Sequence, residues 1–112
     1  ETLIEAWLRL NPEGSANEAQ AALARFLFRN VAVHRRVATL SGGERLRGAL
    51  ACVMTGSAPP QLLVLDEPSN HLDLASVEAV EAALRTYDGA LVVVSHDEDF
   101  LAAIDVDRRI SL

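Results

Sequence analysis

Three short segments of this sequence combine residue types that could do chemistry on a phosphate. The first is Leu62-Leu63-Val64-Leu65-Asp66-Glu67-Pro68, an apolar run that ends in two adjacent carboxylates. If the run is a buried strand, its C-terminal end is where open α/β sheets place their ligands. An aspartate there can hold Mg2+ through water, because that ion prefers oxygen ligands and keeps part of its hydration shell. A glutamate beside it can accept a proton from an attacking water. The second segment is Leu40-Ser41-Gly42-Gly43-Glu44. Two glycines at a helix start leave backbone N–H groups unobstructed, and the helix dipole adds positive potential, so the pair suits a phosphate. The third is Val94-Ser95-His96-Asp97. A histidine leaving a strand that neighbours the first would point at the same edge and could contact a phosphate oxygen. Each segment alone has a plainer reading: acids that end a strand, an ordinary capping box, a solvated surface histidine. His34 and His71 have no comparable placement and are assigned no catalytic role.

The elements that must position these residues change character near residue 60. The first half reads helical, with Leu3, Ala6, Trp7 and Leu10 at helical spacing until Asn11-Pro12 breaks the run. Ser15 stands three residues before Glu18, a capping box that satisfies free amides at a helix start. Ala19, Ala22, Leu23, Phe26 and Leu27 give that helix an apolar face. An irregular stretch from Val31 to Val37 leads to a second capping box, Ser41 to Glu44. The helix it opens carries Leu46, Leu50 and Val53 on one side. The second half alternates strand and helix, which favours a mostly parallel sheet with crossover helices. Leu62 to Leu65 and Leu91 to Val94 are wholly apolar, as strands buried on both faces should be. Asp73 can cap a helix from Leu74 to about Tyr87 that buries Val77, Val80 and Leu84. Asp99 to Ile104 reads as a short helix, and Arg108 to Leu112 as a third strand.

At 112 residues the chain falls below the ~150 that make a soft prior for one domain, so one compact unit is expected. The net charge of −6 argues against an autonomous nucleic-acid binder. All ten basic residues are arginine, which excludes lysine chemistry within these residues, including the lysine of a phosphate-binding P-loop. The single cysteine, Cys52, cannot form an intrachain disulfide and sits in a helical apolar context, as a buried structural thiol would. No apolar run approaches a membrane span and no signal-peptide layout is present, so a cytoplasmic chain without a membrane segment is expected.

Taken together, the order and spacing of the segments resemble an ATP-binding cassette (ABC) ATPase. LSGGE at 40–44 looks like the family signature, LLVLDEP at 62–68 like Walker B, SNHLD at 69–73 like the D-loop, and SHD at 95–97 like the switch histidine. The asparagine-histidine pair in SNHLD, and Arg25-Phe26-Leu27-Phe28 ahead of the signature, look most like the ABC-F subfamily and its second cassette. The resemblance implies an α/β fold, a partial P-loop NTPase. Residues 1–57 would form the helical signature subdomain. Residues 58–112 would form a β/α half-core with Walker B, D-loop and switch histidine, lacking the P-loop strand. It further implies that Asp66 coordinates the Mg2+ of bound ATP through water and that Glu67 polarises the hydrolytic water. His96 would contact the γ-phosphate, and Asp73 would help couple two sites. Ser41, Gly42, Gly43, Glu44 and the helix start would contact ATP held by the opposite cassette. Glu44 replaces the family's usual glutamine, and a carboxylate is comfortable near phosphate only if turned back into its capping box.

The partners so implied are a second cassette in the same polypeptide and the ribosome, in translation control or antibiotic resistance. A cassette of a membrane transporter is the alternative, and a non-catalytic interaction module the third. No G-x-x-x-x-G-K-[S/T] occurs, so the residues present look like the C-terminal half of a cassette, inactive alone. Without the P-loop strand the sheet would carry open edges, to be met by an inserted second chain, a displaced last strand or internal closure. Self-association through those edges is the preferred expectation.

Overall fold

The computed structural model describes residues 1–110. Three helices come first: α1 (Leu3–Leu10), α2 (Ala16–Arg25) and α3 (Gly42–Met54), with short 3-10 turns at Asn30–His34 and Val37–Thr39 before α3. Strand β1 (Leu62–Asp66), helix α4 (Leu74–Arg85), strand β2 (Ala90–Val94) and helix α5 (Glu98–Ala103) follow. Both expected capping boxes are present, from Ser15 to Glu18 and from Ser41 to Glu44. A third opens α1, where Thr2 and Glu5 exchange the same pair of bonds. Asp73 caps α4 by accepting from the Ser76 N–H at 2.9 Å.

The helices pack through Trp7, Leu23, Phe26, Phe28, Val33 and Leu50, all buried. Trp7 Nε1 donates to Thr55 Oγ1 at 2.9 Å, so the indole's one polar group is satisfied inside the core. Asn11 Nδ2 donates to the Trp7 and Cys52 carbonyls, which ties the end of α1 to the end of α3. Arg47 donates to the Phe26 carbonyl at 2.8 Å and lies over the Phe28 ring, 4.6 Å from its centroid. The Phe26-Leu27-Phe28 segment is therefore core packing, and Leu27 makes the reversal between its two rings with φ 73°. Cys52 is buried as expected, and burial pushes its thiol pKa up.

The two strands pair in parallel, with Leu62 opposite Ala90, Val64 opposite Val92 and Asp66 opposite Val94. The crossover through α4 is the connection that parallel neighbours require. Four expectations fail here. The strands are not buried on both faces: Leu63, Leu65, Leu91 and Val93 pack against the core. Leu62, Val64, Val92 and Val94 are 54, 64, 49 and 52 % exposed, because no described element lies on their side. The third strand is absent from Arg108 to Ile110, which have no regular structure, and its remaining residues lie outside those described. Val53 and Leu10 are exposed, since the apolar stripes of α3 and α1 are narrower than their sequence pattern.

Candidate functional site

The C-terminal ends of β1 and β2 bring the first and third segments together. Asp66 is the last residue of β1 and is exposed. Glu67 leaves the strand with φ 49°, a left-handed conformation that costs a residue with a Cβ roughly 1–3 kcal/mol. Its N–H still donates to the Val94 carbonyl at 2.6 Å, so the turn begins while the chain is anchored to β2. That turn places Glu67 Oε1 at 3.6 Å from Nε2 of His96, whose side chain is 98 % exposed. A carboxylate and an imidazole thus face one another at the rim, open to a ligand approaching from outside the sheet.

Asp73 lies one loop further on, and its carboxylate is committed to the α4 cap. Its hydrogen bonds from Ser76 hold the carboxyl below the usual aspartate range. His71 sits in the same loop with φ 61° and is exposed. Among the described residues, no group of three His, Cys, Asp or Glu side chains converges as a metal cage would. One strand-end carboxylate is nevertheless the donor set Mg2+ accepts when water and phosphate oxygens complete its shell.

The second segment approaches this loop from α3. Gly43 packs against it so closely that a Cβ there would stand 2.8 Å from Leu72 Cδ2 and 3.2 Å from the His71 carbonyl oxygen. Gly42, by contrast, faces open space: beyond its own helix turn, no described residue comes within 4 Å of where its Cβ would be. Ser41 is exposed, and its backbone N–H donates to Glu44 Oε1 at 2.9 Å. The Ser41 hydroxyl oxygen accepts from the Glu44 N–H at 3.2 Å, which leaves its own proton free to donate.

Glu44 is turned back into its capping box, as a carboxylate at this helix start requires. Arg35 adds a two-pronged ion pair, with Nη1 to Oε2 at 2.6 Å and Nη2 to Oε1 at 3.2 Å. The Arg35 guanidinium and the Ser41 amide together hold the Glu44 carboxyl down to about 2. Sequence reasoning missed Arg35, because a pair nine residues apart across an irregular loop carries no spacing signal.

This ion pair predicts an acid sensitivity. A carboxyl whose folded pKa lies near 2, below its ordinary 4.5, stabilises the fold fully above pH 4.5. That contribution disappears as pH falls from there toward 2. Glu44 is 26 % exposed and Arg35 39 %, so solvent screening leaves only a small stability gap to a variant that lacks the pair. Glu44→Gln keeps the capping box and loses the ion pair. Denaturant titration of both proteins should show that gap at pH 6 and none near pH 2; a gap independent of pH would refute the assignment.

Parallel strands with carboxylates at their C-terminal ends, beside a glycine-rich helix start, define part of an ATP-binding cassette core. A dimeric bacterial ABC transporter cassette shares the fold, with a TM-score of 0.71 at 23% identity, covering 92% of this chain and 49% of that one. The archaeal ribosome recycling factor, solved in complex with an archaeal ribosomal stalk protein, matches with a TM-score of 0.65 at 30% identity. That match covers 94% of this chain and 19% of the other.

The chain belongs to the ABC transporter family, whose model matches residues 3–70 and so includes the LSGGE and LLVLDEP segments. Its relatives include members of the ABC transporter F family. ABC transporter F family member 2 of Arabidopsis thaliana is 40% identical over 111 residues, 99% of this chain and 16% of that protein. The tylosin resistance ATP-binding protein of Streptomyces fradiae is 45% identical over 96 residues, 86% of this chain and 17% of that protein. The chain thus spans about a sixth of the length of the curated relatives it matches. No helix among the described residues is long and apolar enough to cross a membrane.

Proposed function

We propose that this chain is the signature and Walker B portion of an F-type ABC ATPase, which hydrolyses ATP between two cassettes. The observation that carries the reading is the meeting of Glu67 and His96 at 3.6 Å, with Asp66 beside them, at the rim of paired parallel strands. In this reading Glu67 accepts the proton of the attacking water. His96 donates to a γ-phosphate oxygen of bound ATP. Asp66 would hold Mg2+ through water, and the charge it would supply there is what the phosphates of ATP need. Residues 1–57 form the helical subdomain and residues 58–112 part of the ATPase core. Having no lysine, the 112 residues alone do not turn over ATP.

Ser41, Gly42 and Gly43 serve a different nucleotide, the one held by the second cassette of the same polypeptide. The open approach over Gly42 and the free Ser41 proton support that assignment. Asp73 and its loop, in contact with Gly43, link the two sites. The tylosin resistance relative and the recycling-factor neighbour favour a cytoplasmic protein acting on the ribosome over a transporter subunit. Copies of the isolated chain pair through the open sheet.

Ser41→Arg tests the division of labour. MgATP affinity of a single complete cassette should be unchanged, while ATP-driven closure onto its partner weakens by on the order of tenfold or more. Equilibrium binding and light scattering read the two quantities. Lost affinity in the single cassette would overturn the reading.

A further inference from the structure

We propose that Arg35 is a positioning residue for the phosphate-facing start of α3, holding the Glu44 carboxylate so that Ser41 and Gly42 present donors without a free negative charge. The inference rests on the reading that this helix start receives a phosphate of the opposite nucleotide.

A helix N-terminus attracts anions through its unpaired N–H groups and its dipole. A carboxylate three residues into the same helix works against that attraction, since like charges at short range repel. The sequence LSGGE therefore contains a conflict that glutamine would not create. The structure resolves it with a counter-charge. Both Glu44 oxygens are occupied, Oε2 by Arg35 Nη1 at 2.6 Å and Oε1 by Arg35 Nη2 at 3.2 Å and by the Ser41 amide at 2.9 Å.

The guanidinium is itself held in place from behind. The Arg35 carbonyl accepts from the Leu3 N–H at 3.0 Å, and the Val37 N–H donates to the Glu1 carbonyl at 2.9 Å. Thr2 and Arg36 form an antiparallel bridge between these two bonds. The backbone from the Arg35 carbonyl to Val37 is thus pinned to the chain entering α1. A planar fork on a fixed backbone loses less conformational freedom in pairing than a free surface arginine. Lysine could not supply the two parallel bonds.

The test uses the full-length polypeptide carrying this segment, with Arg35→Gln, Glu44→Gln and the double variant. Arg35→Gln releases Glu44 as an uncompensated charge at the helix start. It should lower kcat/KM for MgATP on the order of tenfold, the effect of one like charge near a partly screened phosphate. Glu44→Gln sets its own reference value, and the double variant should match it, because no carboxylate remains to be restrained. Circular dichroism confirms that each variant is folded. A double variant as impaired as Arg35→Gln would reduce Arg35 to a structural role and overturn the proposal. So would an unimpaired Arg35→Gln when Ser41→Arg is impaired. If Ser41→Arg is itself without effect, the underlying assignment of the helix start fails, and the role of Arg35 with it.

Discussion

Replacing Glu67 by glutamine in the full-length polypeptide is expected to lower ATP turnover by about 10²–10⁴-fold, the usual contribution of a general base. MgATP should still bind. Glutamine has the volume and hydrogen-bonding reach of glutamate, so the left-handed turn at Glu67 and the hydrogen bond its N–H donates to the Val94 carbonyl need not change. What disappears is the acceptor for the water proton and the charge facing His96 at 3.6 Å. Steady-state phosphate release, measured with the corresponding glutamate of the second cassette also replaced, reads the chemical step. Unchanged turnover in that background would remove Glu67 from the role of base.

The second large effect concerns the sheet. Leu62, Val64, Val92 and Val94 form one exposed aliphatic face, and the far edges of β1 and β2 carry no described strand. A two-stranded sheet with an open apolar face is marginal in water by itself. Unpaired strand edges add a row of free donors and acceptors. The isolated 112-residue chain should therefore be a dimer or larger at micromolar concentration. Val64 and Val92 are direct cross-strand partners, so Val64→Asp with Val92→Asp places two like charges side by side on that face. The double variant should run as a monomer in light scattering across a dilution series. A parent chain that is monomeric at every concentration would show that the exposed face needs no cover.

Much of this arrangement is legible in the residues, and the failures have physical causes. Ser41-x-x-Glu44 and Ser15-x-x-Glu18 announce their helix starts because capping is local, decided within one turn. Thr2-x-x-Glu5 has the same form and opens α1 in the same way. The LVLDE run locates β1 and its carboxylates, yet an unbroken apolar run cannot tell how many faces are covered. Continuous apolarity means two-sided burial only where both sides have neighbours, and here one side has none. The strand read into Arg108 to Leu112 needed a sheet edge to pair with, and Arg108–Ile110 do not reach one. Arg35 was invisible for a different reason. Its partner is fixed by the fold of the 30–40 loop and by the α1 start, long-range facts with no period.

The unequal surroundings of Gly42 and Gly43 bear on what a selection experiment would retain. Neither glycine has a positive φ, so backbone freedom explains neither. A library randomised at both positions and sorted only for folded protein should keep glycine at 43, where Leu72 and the His71 carbonyl occupy the space. The same sort should let position 42 drift freely, since no described residue outside its own helix turn comes within 4 Å of a Cβ there. Sorting for ATP-dependent function instead would bring glycine back at 42. The difference between the two residue spectra would map the outline of the proposed second cassette onto a single Cα.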